Sequence, residues 1–124
     1  MSSEESYRPL RVAELIRSIL IQVINQGKAQ DLRIFHTNLT ITAVKMTKDL
    51  KVANCYVRPF ASKLTEEELM DAFEKSRSHL RILVSDRIKL KYSPELRFFY
   101  DHGEENADKV DQILKNIAPS TTEG

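Results

Sequence analysis

The chain has 124 residues, of which 41% are hydrophobic, and a formal net charge of +1. This length and composition predict one domain with a single core, and no apolar run reaches the ~18 residues that a membrane span needs. The single cysteine, Cys55, excludes an internal disulfide, and the polar start resembles neither a signal nor a transit peptide. Both features are typical of a cytoplasmic protein.

Residues 1–7 are predicted to be a flexible N-terminus, and a first helix is predicted to begin at Arg8-Pro9, with proline in the first turn. Seven apolar residues follow at the i, i+3, i+4 and i+7 spacing of an amphipathic helix. These predicted core residues are Val12, Leu15, Ile16, Ile19, Leu20, Val23 and Ile24. Gly27 can take the left-handed conformation that commonly ends a helix.

Two stretches between residues 36 and 59 alternate apolar and polar side chains, which predicts two β-strands. Residues 39–43 form the first run and residues 53–58 the second, and a turn near Lys48-Asp49 would join them as an antiparallel hairpin. Pro59 is predicted to stop the second strand because it cannot donate a hydrogen bond to a neighbouring strand.

Thr65 and Glu68 form a capping-box pattern that predicts a helix beginning here. Its apolar stripe resumes at Leu80 after the polar segment Ser76-Arg77-Ser78. Serine hydroxyls compete with helical hydrogen bonds, so we expect a break or kink at this segment, giving two helices. Tyr92-Ser-Pro94 then predicts a stop.

The alternating residues 95–100 predict a third strand, with Phe98 and Tyr100 facing the core beside Leu96. Val110, Ile113, Leu114 and Ile117 predict a C-terminal helix, and residues 119–124 a flexible tail. The predicted fold is α+β, with a three-stranded sheet covered by helices in the order helix, strand, strand, helix, kink, helix, strand, and a C-terminal helix. This is the type II KH arrangement, with its domain at residues 8–118.

Charge is distributed unevenly along the chain. Residues 66–74 carry five acids and no base, residues 75–97 have a net charge of +5, and residues 101–111 carry five acids and one base. A basic block between two acidic ones favours a polyanionic partner bound in one orientation, although an ordinary solvated helix face would show a similar pattern.

Several segments resemble ribosome-binding factor A, and together they span about residues 8–117. They are RVAELI at 11–16, TITAV at 40–44, KDL at 48–50, ANCYV at 53–57 and PELRF at 94–98. The resemblance implies a KH-like fold, binding to 16S rRNA and the free 30S subunit, late 16S rRNA maturation and a role in cold adaptation. Members of this family typically carry Ala-x-Gly at the kink, whereas this chain carries Ser76-Arg77-Ser78, which departs from the pattern at both ends.

Phosphate groups need cationic donors, and arginine offers a planar fork that lysine lacks. Arg77 and Arg81 share a helix face at i, i+4 spacing. The candidate RNA-binding residues are Ser76, Arg77, Ser78, His79, Arg81, Arg87, Lys89 and Lys91 around the kink, and Lys45, Lys48 and Lys51 at the hairpin. Each of these residues also has an ordinary structural interpretation. His79 would be a simple exposed histidine, Arg87 would pair with nearby carboxylates, and the three lysines would protect the edge of the hairpin.

The sequence does not favour an enzyme. Its three histidines lack metal-ligand spacing, there is no glycine-rich phosphate loop, and Cys55 on an alternating strand is typical of a small buried residue. We therefore expect no cofactor and no metal, and a monomer bound to RNA. Two alternatives are a general single-stranded RNA-binding KH module and a protein adaptor that uses the acidic residues 66–74.

Overall fold

The computed structural model describes residues 2–103 as three helices and three strands. These are α1 (Ser2–Asn25), α2 (Leu32–Phe35), β1 (Asn38–Met46), β2 (Val52–Ala61), α3 (Glu66–Arg87) and β3 (Glu95–Tyr100). The strands lie in the order β1-β2-β3, with β1 and β2 antiparallel and β2 and β3 parallel. The predicted α+β class with a three-stranded sheet is thus confirmed, while the predicted C-terminal helix and tail lie outside the described residues.

One hydrophobic core lies between the sheet and the two long helices. α1 packs on β1 and α3 packs on β3. The inward side chains of the strands, among them Ile41, Cys55 and Leu96, are fully buried, and Phe98 and Tyr100 pack against this core as predicted. Burial raises the pKa of the Cys55 thiol to about 12, so this side chain is a core residue and a poor nucleophile.

The first helix differs from its prediction in two ways. It begins at Ser2, six residues before the predicted start, so that Pro9 lies inside the helix and one backbone hydrogen bond is missing there. Leu15, predicted to be a core residue, is 50% exposed, because α1 covers the sheet with the arc that carries Val12, Ile16 and Leu20. Successive helical residues are about 100° apart, which places Leu15 beside that arc.

The predicted hairpin is confirmed, with a turn closed by the Leu50 amide donating to the Thr47 carbonyl at 2.9 Å. Pro59 does not stop the second strand, which continues to Ala61. β3 pairs with β2 only as far as Val57, so Pro59 lies where β2 has a neighbour on one side alone. A missing donor is tolerated at such an edge.

The predicted break at residues 76–78 is wrong, because α3 is one continuous helix. Thr65 and Glu68 form the predicted capping box, with hydrogen bonds of 3.1 and 2.9 Å. Ser76 is fully buried, and its hydroxyl accepts a hydrogen bond from the Asp31 amide at 2.9 Å. A hydroxyl engaged with the segment before α2 does not compete with the helical hydrogen bonds of its own turn.

Candidate nucleic-acid interface

The two central arginines of α3 reach toward the start of β3. Arg81 donates to the Ser93 hydroxyl at 3.1 Å and to the Ser93 carbonyl at 2.7 Å. Ser93 also forms a hydrogen bond with Ser85, one turn further along the helix. Because both Ser93 oxygen atoms are acceptors for one guanidinium group, the side chain of Arg81 is held in a fixed orientation.

Arg77 lies between two carboxylates. Its guanidinium donates to Glu74 at 2.9 Å and lies 3.7 Å from Glu95, while its Nε is buried without an acceptor among the described residues. The guanidinium of Arg97, which donates to Glu95 at 3.1 Å, lowers the pKa of the Glu95 carboxyl, and the positive charges of Arg77 and Arg81 contribute to the shift. Glu95 therefore stays ionised at neutral pH and helps to position the arginines.

These side chains line an open groove of about 570 Å³ at the end of the sheet where β2 and β3 begin. We call it the cationic groove; its lining residues are Lys51, Arg77, Arg81, Tyr92, Ser93 and Glu95. The Glu95 amide donates to the Lys51 carbonyl at 2.8 Å, which fixes the hairpin beside β3. The lining carries three cations and the carboxylate of Glu95, and Glu74 pairs with Arg77 from outside it, so the groove remains net positive. Lys91 adds a charge nearby, 5.5 Å from the Tyr92 ring.

The structure therefore brings together part of the predicted RNA-binding set. Lys51, Arg77 and Arg81 share the groove although they come from different parts of the chain. Ser78, Lys48 and Lys89 are exposed outside the groove. Arg87 is also exposed and donates to the Leu83 carbonyl at 3.4 Å in the last turn of α3.

Three predicted residues are placed differently from expectation. The side chain of Ser76 is buried and cannot contact RNA in this structure, and, since no helix begins here, the predicted anion site at a helix start is lost. His79 is half-buried and donates through Nε2 to the Lys28 carbonyl at 3.1 Å. Lys45 points to the opposite face of the sheet from the core, with Nζ 5.7 Å from the Tyr56 ring.

Sequence reasoning misses Tyr92, Ser93 and Glu95, because Tyr92-Ser-Pro94 by itself predicts only a helix stop. The sequence does contain a signal that could have identified these residues. They lie in the segment that leads from the basic helix into the next strand, and such a segment passes beside the helix. Among residues 2–103 there is no cluster of His, Cys, Asp or Glu that could hold a metal ion. The helices of this part of the chain are also too short or too polar to cross a membrane.

Three solved structures have folds similar to this one. The crystal structure of ribosome-binding factor A from Thermus thermophilus gives a TM-score of 0.61 at 24% identity, covering 74% of this chain and 94% of that one. The solution structure of a Thermotoga maritima protein gives 0.65 at 23% identity, covering 81% and 92%. A homology model of Thermus thermophilus ribosome-binding factor A, fitted into the cryo-EM map of its complex with the 30S subunit, gives a TM-score of 0.54 at 26% identity, covering 68% of this chain and 86% of that one.

Sequence comparison extends over almost the whole chain. Ribosome-binding factor A from Rickettsia felis is 45% identical over 117 residues, which is 94% of this chain and 98% of the relative. The Rickettsia prowazekii protein of the same name is 44% identical over 116 residues, or 94% and 91%. The sequence profile of ribosome-binding factor A matches residues 8–114. This chain therefore belongs to the ribosome-binding factor A family.

Proposed function

We propose that this chain is a ribosome assembly factor that binds the 30S small subunit through its 16S rRNA. It would promote late maturation of that rRNA, including processing of the 5′ end. The observation that carries the proposal is the convergence of Lys51, Arg77 and Arg81 on one open groove. The similarity to a Thermus thermophilus protein fitted into a 30S complex supports the choice of partner.

The geometry of the groove suits RNA phosphates. Arg81 is already oriented by Ser93, so little side-chain entropy is lost when it binds an anion. Arg77 lines the same groove, and the planar guanidinium of an arginine can donate two parallel hydrogen bonds to a phosphate group. Tyr92 is 62% exposed at the rim and offers a flat surface beside these charges.

The chain would act by binding alone, as a monomer in the cytoplasm, while a separate nuclease cuts the rRNA. The buried thiol of Cys55, with its raised pKa, does not provide a nucleophile. The continuous helix α3 argues against a general KH module for single strands, because those domains clamp the backbone with a glycine-containing loop between two helices.

Charge reversal in the groove tests the binding mode. Arg77→Glu combined with Arg81→Glu should weaken small-subunit binding about 100-fold, or roughly 1.4 kcal/mol for each arginine. Each lost phosphate contact should also reduce the slope of log affinity against log salt by about 0.7–0.9. Sedimentation with purified small subunits at several salt concentrations measures both effects.

A matched control reverses the charge of two exposed lysines outside the groove, Lys28 and Lys63. Lys28→Glu with Lys63→Glu changes the net charge by the same amount and should retain most of the affinity. If both double variants lose affinity equally, binding depends on overall charge and not on the groove. If the arginine variant binds like wild type with an unchanged salt slope, the RNA-binding surface lies elsewhere.

The maturation step needs a separate experiment in cells. A deletion strain should accumulate small subunits whose 16S rRNA has unprocessed 5′ ends, as measured by primer extension on gradient-purified particles. Normal 5′ ends and a normal subunit ratio, at low temperature as well as at the optimum, would contradict the proposed role in maturation.

A further inference from the structure

The face of the sheet opposite the core carries two rows of side chains that cross all three strands. In the first row Ala43 pairs with Tyr56 and Tyr56 with Phe99, and in the second Lys45 pairs with Asn54 and Asn54 with Arg97. We call these six residues the outer sheet face. α1 and α3 pack against the other side, where Ala53, Cys55, Val57 and Leu96 are buried.

Two aromatic rings lie side by side in the first row. The ring centroids of Tyr56 and Phe99 are 5.5 Å apart with an angle of 29° between the ring planes, which is a stacked arrangement. Phe99 is 43% exposed, although the flanking strand residues Phe98 and Tyr100 turn inward and pack on the core. Each ring therefore covers one face of the other, and the exposed part of the pair is the outer side of Phe99 on the edge strand β3, which the core does not require.

Cations surround this aromatic pair. Lys45 Nζ lies 5.7 Å from the Tyr56 ring, Arg97 lies beside Phe99 in the second row, and exposed Arg58 follows two residues after Tyr56. Among the described residues, Glu95 accepts from Arg97 at 3.1 Å and so shares that cation, whereas Asp101 accepts from the Thr42 hydroxyl at 2.7 Å and the Gly103 amide at 2.9 Å. Aromatic rings with flanking cations fit a ligand that combines flat bases with phosphates.

The outer sheet face is continuous with the cationic groove. One carboxylate oxygen of Glu95 lies 3.1 Å from Arg97 Nε and 3.7 Å from Arg77, so the charges of the two surfaces meet at this residue. A nucleic-acid strand whose phosphates occupy the groove could extend its next nucleotides over Tyr56 and Phe99. Bases in a duplex are covered by their neighbours, so only unpaired bases can stack on such a surface.

We propose that the outer sheet face is a stacking platform for unpaired bases of RNA, with the exposed Phe99 as the stacking residue and Tyr56 as the ring that supports it. The proposal rests on the proposed function, because it extends the phosphate-binding groove into a second, base-contacting surface. It accounts for an exposed phenylalanine stacked on a tyrosine beside three cations.

An abasic oligonucleotide separates stacking from phosphate binding, because it keeps the phosphates and lacks the bases. The full chain is titrated with a single-stranded RNA of about 12 nucleotides and with its abasic counterpart, a length comparable to the sites of about 4–16 nucleotides that single-strand-binding OB folds cover. The wild type should bind the base-containing strand about tenfold more tightly. Tyr56→Leu with Phe99→Leu keeps the apolar character but removes both rings, and should abolish this preference.

Further variants keep the outcome interpretable. Phe35→Leu removes an exposed ring elsewhere and should retain the tenfold preference. Arg77→Glu with Arg81→Glu should weaken binding of the base-containing and abasic strands equally. Loss of phosphate binding in the groove is thus distinguished from loss of base stacking on the platform. Phe99→Leu alone, compared with wild type by circular dichroism, should keep the fold and lose part of the preference.

Two results would overturn the platform. One is equal binding of base-containing and abasic strands by the wild type. The other is a folded Tyr56→Leu, Phe99→Leu variant that retains the full preference for bases. Either result would mean that this face meets a protein surface or another part of the chain instead of RNA.

Discussion

The two halves of α3 have the same buried face and opposite exposed charges. Residues 66–75 bury Leu69, Ala72 and Phe73, and residues 76–87 bury Ser76, Leu80 and Val84. On the exposed side, the first half carries five acids and Lys75, and the second carries three arginines and Asp86. The acids are Glu66, Glu67, Glu68, Asp71 and Glu74, and the arginines are Arg77, Arg81 and Arg87. One rigid helix therefore holds an acidic and a basic surface at a fixed separation.

The charged side chains of the two halves differ in what they contact. The three glutamates of the first turn lie at the positive end of the helix dipole, and Asp71 pairs with Arg33 at 3.0 Å and Lys75 at 3.3 Å. Arg77 also pairs with Glu74 at 2.9 Å, but both Arg77 and Arg81 line the open groove. The charges of the acidic half thus contribute to the fold, and those of the basic half line the groove that we propose for RNA. In that proposal one end of the helix repels an approaching polyanion and the other attracts it.

The largest expected effect tests whether the two halves are equally part of the core. Phe73→Ala should lower the free energy of unfolding by about 3–5 kcal/mol and Leu80→Ala by about 2–5 kcal/mol, because both side chains are fully buried. Urea unfolding of both variants measures the change. A loss below about 1 kcal/mol for Leu80→Ala alone would show that the basic half packs loosely and that the halves differ in more than charge.

We expect a smaller loss of stability for a substitution at Ser76, where the two halves of α3 join. Ser76→Ala removes the acceptor of the Asp31 amide and should lower stability by about 1–3 kcal/mol, even though alanine is the residue that the family pattern carries here. Ser78→Ala, two residues away on the exposed side, should change stability by less than about 0.5 kcal/mol. Equal melting temperatures for the two variants would show that the hydrogen bond between Asp31 and Ser76 contributes little.

The smallest effect concerns pH and the acidic half. Hydrogen bonds from Arg33 lower the pKa of Asp31 to about 2, and Arg33 also links Asp31 to Asp71 of α3. A carboxyl whose pKa is depressed in the folded state contributes stability above its unfolded pKa of about 4 and loses it as pH falls toward 2. Asp31→Asn can keep the cap of α2 but removes the charge.

Melting temperatures measured between about pH 7 and pH 2 test this link. The wild type should be more stable than Asp31→Asn at neutral pH, and the difference should vanish as pH falls from about 4 to about 2. A difference that stays constant across this range would contradict a stabilising role for the ionised carboxyl.

Patterns that depend on near neighbours in the chain predicted most of the fold. The capping box at Thr65, the hairpin turn near Asp49 and the alternation in β3 each depend on spacing within a few residues. The prediction of a break at residues 76–78 was wrong because the conformation there depends on a residue far away in the chain. The Asp31 amide, 45 residues away, donates a hydrogen bond to the Ser76 hydroxyl and so gives it a buried partner.

The candidate site was predicted only in part, for the same physical reason. The i, i+4 spacing of Arg77 and Arg81 places both side chains on one face of the helix. That spacing does not show that Lys51 lines the same groove, or that the side chain of Lys45 lies on the outer sheet face. Those placements follow from the parallel pairing of β2 with β3 and from the β-bulge between Ile41 and Ala43. Leu15 illustrates the same limit, because periodicity identifies an apolar stripe but not the arc that touches the sheet.

The parallel pairing of β2 and β3 has a consequence for how the protein folds. The hairpin of β1 and β2 closes over a few residues, whereas Val52 and Glu95 must meet across more than 40 residues of intervening chain. Closing the longer loop costs more entropy, so we expect β3 to dock after the hairpin and α3 have formed. The groove needs Lys51, Arg81 and Ser93 together, so a nascent or truncated chain that lacks β3 has not assembled the groove that we propose for RNA. The proposed site is thus complete only at the last step of folding.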